Sequence, residues 1–384
     1  MLIAGEPSGD LLAAELVDAL EREAASNPKS EIRNPKFFGA GGAKMAEAGV
    51  ELAFDMTQHS VIGLWEAVKK YGQFKRLFDQ LVALAFERQP DVIVCVDFSV
   101  FNHRFARKIR WELEVRRAAL GDWTPKIVKY VSPQVWASRP GRAKAMAREF
   151  DLLLTLFPFE KPWYAERVPV LKVEFVGHPA IDRFQDRGSK VQGSQLEPRI
   201  LLLPGSRTGE LKRHLPPMLE ALRVVQSRKP DARATMVLPN QPLLHLARSY
   251  SPPASLELQV GELPRALAQA TIAIASTGTV TMECALFGVP TVALYKTSWS
   301  TYQIGKRIIQ VKHLAMPNLL ADERVFPELV QHDATAENIA RETLDLLNNS
   351  ARREAIRSKL QEIVKSLGSP GAAQRAAKAI LKLL

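Results

Sequence analysis

The stretch IAIASTGTVTMECALFGVP, residues 272–290, runs from an apolar strand through a turn of small residues into a helix. Its first four residues carry no polar group, as a strand buried on both faces requires. Ser276, Thr277, Gly278 and Thr279 follow. Small residues let the backbone approach a ligand closely, and the open amides of a helix start favour an anion. Glu283 falls about one turn into the helix, where a carboxylate can accept hydrogen bonds from ribose hydroxyls. The same pattern also fits a plain strand-to-helix turn with Ser/Thr caps and Glu283 closing a capping box. Both readings place a strand–loop–helix unit here.

Similar units lie on either side. Short runs rich in Val, Ile and Leu occur at 2–4, 36–39, 91–97, 126–132, 151–156 and 173–176. A second series occurs at 199–203, 233–238, 256–260, 272–275 and 290–295. Helical patterns lie between them, among them 11–23, 64–88, 210–228 and 280–288. Alternation of this kind predicts βαβ units and parallel sheets. The polar stretch DRGSKVQGSQLEPR near 180–198 reads as a linker. The expected fold is therefore α/β, with two doubly wound domains and a cleft between them that takes ligand at the strand C-termini. The expected bounds are 1–180, 199–345, and a basic helical segment at 346–384. Only about four residues precede the first glycine loop, which reads as a clipped first strand.

The 384 residues are 46% apolar, enough for two cores. No run reaches the ~18 apolar residues of a membrane span, and no secretory leader opens the chain. Cys95 and Cys284 sit in apolar surroundings with no C-x-x-C, which fits thiols in a reducing cytosol. The net charge of +11 is uneven: residues 351–384 hold 8 basic and 2 acidic residues. That tail suits an acidic partner such as anionic lipid, or it is a solvated helix face. Nucleic acid is disfavoured, because backbone binding needs clustered Lys and Arg but not glycine loops at strand ends. No P-loop lysine, H-E-x-x-H, G-x-S-x-G or dinucleotide fingerprint is present, so no metal and no cofactor is expected.

Three further stretches end strands. LLLPGSRTGEL, 201–211, offers Arg207, whose planar fork suits a phosphate, after Gly205, or else a helix cap with Arg207 in a surface ion pair. AGEPSGD, 4–10, lets Ser8, Gly9 and Asp10 cap a helix from Leu11 and places Glu6 at the sheet edge. VIVCVDFSVFNHR, 92–104, ends an apolar strand on Asp97: a base, a cap, or half of a carboxylate pair. The stretch 60–78 mixes Trp65, Tyr71, Phe74 and Phe78 with Lys69, Lys70, Lys75 and Arg76. It reads as a membrane-surface segment or as a core-packing helix with snorkelling lysines.

Together these stretches resemble the lipid-A-disaccharide synthase family, inverting glycosyltransferases of the two-Rossmann-domain GT-B architecture. The resemblance rests on AGEPSGD at 4–10, FFGAGGAKMAEAGV at 37–50, VIGLWEAV at 61–68 and YVSPQVWASRPGR at 130–142. It continues through FPFE at 157–160, VGHP at 176–179, LLPGSRTGE at 202–210, STGTVTMECALFGVPTVALYK at 276–296 and MPNLL at 316–320. It implies transfer from UDP-linked 2,3-diacylglucosamine to 2,3-diacylglucosamine 1-phosphate, giving a β-1,6 disaccharide phosphate and UDP without a metal. It implies a cytoplasmic enzyme peripheral on the inner membrane, touching anionic lipid, with the C-terminal segment packed on the N-terminal domain. A homodimer is compatible with the sequence and not demanded by it. Donor binding would fall to Arg207, Ser276, Gly278, Thr279 and Glu283, with Asn318 orienting the sugar. Acceptor and membrane contacts would fall to Trp65, Phe74 and Asn102.

Three positions depart from the family pattern, Ser99 at its proline, Val100 and Ser138, all in the N-terminal half. Where the family writes D-x-P-D-F-N, this chain has Asp97-Phe98-Ser99-Val100-Phe101-Asn102. Val100 stands at the second acidic position, leaving Asp97 or Glu6 as the base, or a chain that is slow or has drifted to another acceptor. Ser138 stands where VWAWR carries an aromatic. The alternatives are a UDP-sugar enzyme of the same architecture with another acceptor, and a non-catalytic membrane- or nucleic-acid-binding protein.

Overall fold

A computed structural model describes residues 1–26, 34–57, 71–116, 122–184 and 197–384. The chain divides into two compact units, Met1–Asp182 with Leu367–Leu384, and Arg183–Ser366.

The first unit is built on a seven-stranded sheet. Its strands are β1 (Leu2–Ala4), β2 (Phe38–Gly41), β3 (Glu51–Asp55), β4 (Val92–Val96), β5 (Lys126–Tyr130), β6 (Leu152–Thr155) and β7 (Lys172–Phe175). Their order across the sheet is β3-β2-β1-β4-β5-β6-β7, and every pair is parallel. Apolar side chains fill most of both faces, which is why β4 and β6 read as near-continuous apolar runs. Ile93, Cys95, Ile127 and Leu153 point to one side, and Val94, Val96, Val128, Leu152 and Leu154 to the other. The chain winds outward from β1 to β3 and then returns to β4. The C-terminal ends of β1 and β4 therefore form a topological switch point, where doubly wound sheets bind ligands.

The second unit repeats the design with six strands: β8 (Arg199–Leu203), β9 (Arg233–Leu238), β10 (Leu256–Val260), β11 (Ile272–Ser276), β12 (Thr291–Tyr295) and β13 (Glu328–Val330). The order β10-β9-β8-β11-β12-β13 puts the switch point between β8 and β11.

Sequence patterning missed β3 and β13. The first is an edge strand with no buried residue, and the second is three residues long. Neither gives the continuous apolar signal of a central strand. The 346–384 segment, expected to act as one, divides. Helix Ser350–Ser366 lies in the second unit and buries Ile356, Leu360 and Ile363. Helix Ala372–Leu381 packs on helix Pro7–Ser26, and its Ala376, Ala377 and Ile380 join the first unit's core. Gly371 and Ala372 donate backbone N–H bonds to the Asp182 carboxylate, and Arg375 donates to the Val176 carbonyl at 2.7 Å. Of the expected linker, 185–196 lies outside the described residues.

Candidate active site

The end of β4 makes an unusual turn. Asp97 and Phe98 both take left-handed backbone angles, with φ of 43° and 42°. For residues with a side chain each such angle costs about 1–3 kcal/mol unless surrounding contacts impose it. Here they do. The Asp97 N–H donates to the Tyr130 carbonyl at 2.8 Å. The Asp97 carbonyl accepts from Asn102 Nδ2 at 2.9 Å and from the Lys129 ammonium. Phe98 lies over Gly5 so closely that a Cβ on Gly5 would sit 2.4 Å from the ring. The glycine of AGEPSGD is thus the seat of Phe98. Gly5 directly follows β1 beside the end of β4, since Ala4 pairs with Val96. Asp97 is half-buried at this switch point.

Asn102, expected to touch acceptor or membrane, is instead fully buried. Its Nδ2 bonds the Val96 and Asp97 carbonyls, so it braces the turn. Phe74 is half-buried on helix Tyr71–Arg88, and Trp65 lies outside the described residues. Glu6 is half-buried, and its carbonyl accepts from the Asp10 N–H at 2.9 Å. The capping expectation for Asp10 needs correction. The helix starts at Pro7, and the buried Asp10 carboxylate accepts from the N–H groups of Gly42, Lys44 and Met45 at 2.7, 3.0 and 3.2 Å. A Cβ at Gly42 would meet Asp10 Oδ2 at 2.7 Å, so FGAGGAKM is shaped around Asp10. Val100 stands 68% exposed in the first turn of helix Ser99–Val115.

The SPQVW and FPFE motifs meet at Glu160, which sequence reading gave no role. Buried Glu160 accepts from Trp136 Nε1 at 3.0 Å and from the Phe157 N–H at 3.1 Å. Burial pushes its carboxyl up to about 7 against these hydrogen bonds. An acid raised in this way keeps its proton when folded at a pH where the unfolded chain has released it. Its contribution to stability is complete below about pH 4.5 and is lost as the pH rises through about 7. Urea unfolding should show the stability of wild type relative to Glu160→Gln falling by about 3 kcal/mol from pH 4.5 to 8. A constant difference would contradict this assignment.

In the second unit, β8 and β11 are neighbours and end side by side in two loops. Gly205, at φ 121°, packs under the Glu210 carboxylate, and a Cβ there would lie 3.4 Å from Ser276 Oγ. The two glycine loops are thereby brought together. Gly278, at φ 143°, precedes helix Thr279–Leu286 as its N-cap, and no side chain caps that helix. The helix starts three residues after Ser276, which ends β11 and is buried. Arg207 is largely exposed and rests against Glu210 at 3.3 Å, the surface ion pair of the alternative reading. Such a pair is weak and is readily exchanged for a ligand phosphate. Glu283 is half-buried, and burial raises its carboxyl above the usual range, opposed by the charge of Arg183.

Asn318 departs from its expected sugar contact. It is fully buried, and its amide bonds Phe326 N–H, Phe326 C=O and Glu328 Oε1 at 2.7, 2.9 and 2.8 Å. It braces the start of β13. His214 was missed altogether. It is fully buried, with Nδ1 on the Pro204 carbonyl at 2.8 Å and Nε2 on the Lys296 N–H at 3.0 Å. These partners require a neutral ring protonated on Nδ1, and burial lowers its pKa accordingly. It ties the loop after β8 to the end of β12. Its only sequence signal was a histidine on the inner face of an amphipathic helix.

Residues 1–383 match the family model described as lipid-A-disaccharide synthetase. The lipid-A-disaccharide synthase of Geobacter sulfurreducens is 37% identical over 398 residues, covering 100% of this chain and 97% of that protein. The enzyme of the same name from Myxococcus xanthus is 35% identical over 396 residues, with the same coverage. Among solved structures, the UDP-GlcNAc 2-epimerase of Neisseria meningitidis aligns with a TM-score of 0.63 at 11% identity, covering 96% of each chain. The calicheamicin glycosyltransferase CalG4 aligns with a TM-score of 0.55 at 14% identity, covering 100% of this chain and 97% of that one. These structural likenesses show a shared GT-B-type fold of two Rossmann-like units, and the sequence matches show the family. The chain belongs to the lipid-A-disaccharide synthase family of glycosyltransferases.

Proposed function

We propose that this enzyme joins UDP-linked 2,3-diacylglucosamine to 2,3-diacylglucosamine 1-phosphate by inverting, metal-independent displacement. The observation that carries the donor half is the convergence of the Gly205 and Gly278 loops at the β8–β11 switch point. Arg207 and the amides at Gly278 and Thr279 would receive the charge that develops on the diphosphate. Glu283 would accept from the ribose. Ser276 shapes the loop between them, and Asn318 acts only through the packing of β13.

Asp97 is the base in this reading. Its carboxylate takes the proton of the acceptor 6-hydroxyl as that oxygen attacks the donor anomeric carbon from the opposite face. The bond from that carbon to the diphosphate breaks, and UDP leaves with the electron pair. What supports Asp97 over position 100 is placement: Asp97 ends a central strand at a switch point, whereas residue 100 projects into solvent on a helix. Glu6, at the neighbouring strand end, is the second candidate.

Contact with an anionic membrane is also part of this reading. Helix Ser99–Val115 exposes Val100, Trp111 and Val115. Arg104, Arg107 and Lys108 fall in the same arc of roughly 100° at 3.6 residues per turn. Lys108 lies over the Trp111 ring at 4.1 Å. Exposed aromatic and cationic groups on one face suit a lipid headgroup layer. No helix among the described residues is long and apolar enough to cross a membrane. The test is incubation of both acylated sugars with enzyme in detergent micelles containing EDTA. A β-1,6 disaccharide phosphate identified by NMR is expected; no product, or an α linkage, would overturn the proposal.

A further inference from the structure

Lys129 is a buried cation for which neither the core nor the donor site has a use. On β5 it pairs in register with Cys95 of β4 and Leu153 of β6, and it has no exposure to solvent. The surrounding sheet face is apolar, with Ile93, Ile127 and Leu153. Burying an ammonium there costs several kcal/mol unless a partner compensates. A Leu or Met at this position would avoid that cost. The ammonium is aimed at one place: it donates to the Asp97 carbonyl, with the Asp97 carboxylate close enough to act on its charge.

The Asp97 carbonyl lies inside the strained turn, between two residues with positive φ. Three groups from three positions hold that turn: the Tyr130 carbonyl, Asn102 Nδ2 and the Lys129 ammonium. The first two are neutral. The third is a charge-assisted bond, about twice as strong as a neutral one. The turn angle decides the direction in which the Asp97 side chain leaves the sheet.

We infer that Lys129 is a positioning residue for Asp97: its ammonium pins the Asp97 carbonyl and so aims the carboxylate at the acceptor hydroxyl. The inference rests on the reading of Asp97 as the base. Lys129 touches no substrate in this account and acts only through the turn.

The charge state of Lys129 supplies the test. Burial lowers its pKa to about 8, with the Asp97 carboxylate and Cys95 opposing the shift. Among the described residues these are the titratable groups that act on it. Burial holds the Cys95 thiol up to about 12, so it stays neutral in this range. The ammonium is therefore charged below about pH 8 and lost above it, and the turn loosens as the pH rises.

The experiment measures kcat for disaccharide formation from pH 6.5 to 9.5 in detergent micelles, with UDP binding measured over the same range. It uses wild type, Lys129→Met and Asp97→Asn. Wild-type kcat is expected to fall on an alkaline limb near pH 8 while UDP binding stays flat. Lys129→Met should lose ~10²-fold in kcat at pH 7, keep UDP affinity, and show no limb. A wild-type kcat that is flat to pH 9.5 overturns the inference, and so does a Lys129→Met enzyme with wild-type kcat or with the limb retained. If Lys129→Met does not fold, the wild-type limb in kcat against flat UDP binding decides alone. Asp97→Asn separates the two levels: unimpaired turnover there removes the base reading itself, whereas loss of turnover with a flat wild-type profile removes only the role of Lys129.

Discussion

Asp97→Asn is expected to lower acceptor-dependent UDP release by ~10²-fold or more while leaving UDP affinity within about twofold of wild type. The substitution keeps the size of the side chain and the backbone bonds that hold the turn. What it removes is the ability to take a proton from the acceptor hydroxyl. UDP affinity is expected to hold, because Asp97 is no part of the Gly205 and Gly278 loops proposed to bind UDP. Calorimetric UDP titration beside a coupled UDP-release assay makes the comparison. Turnover surviving in Asp97→Asn and lost in Glu6→Gln would move the base to Glu6.

Arg207→Ala should act on the other half. Among the described residues the Arg207 side chain makes an exposed pair with Glu210, so thermal stability should change little in the variant. A charge-assisted bond from the guanidinium to diphosphate is worth about 2 kcal/mol, so UDP affinity should fall ~30-fold. Turnover should fall further than affinity, since the charge on the leaving diphosphate grows in the transition state. Arg207→Lys should restore only part of both, because an ammonium lacks the planar two-pronged geometry. Unchanged UDP affinity in Arg207→Ala would reduce Arg207 to the surface ion pair that its sequence also allowed.

The architecture was largely legible because parallel strands buried on both faces leave near-continuous apolar runs, and β4, β6, β8 and β11 all do. The glycine loops were legible because they punctuate those runs. Pairing across long separations was not. Nothing local says that Asp10 accepts from Gly42, that Phe98 needs Gly5, or that His214 joins Pro204 to Lys296. Asn318 and Asn102 show the same limit in reverse. Each matched a family position as a functional residue, and each turns its amide nitrogen to partners inside the fold. Lys129 carried a signal that went unused. In KIVKY it occupies an inward position of a central strand, where the two-residue period asks for an apolar side chain.

Val100 stands where the family pattern carries its second acid. If the family chemistry depends on an acid at that position, this chain lacks it. If the strand-end Asp97 suffices, an exposed Val100 is no obstacle and adds to an apolar, cationic face. The deciding measurement is UDP release from UDP-2,3-diacylglucosamine, with and without 2,3-diacylglucosamine 1-phosphate, by wild type and Val100→Asp. Acceptor-dependent release by wild type is expected, changed by no more than a few-fold in Val100→Asp. No acceptor-dependent release by wild type, with activity appearing in Val100→Asp, would contradict it: the donor site would then be intact in a chain that has lost its base.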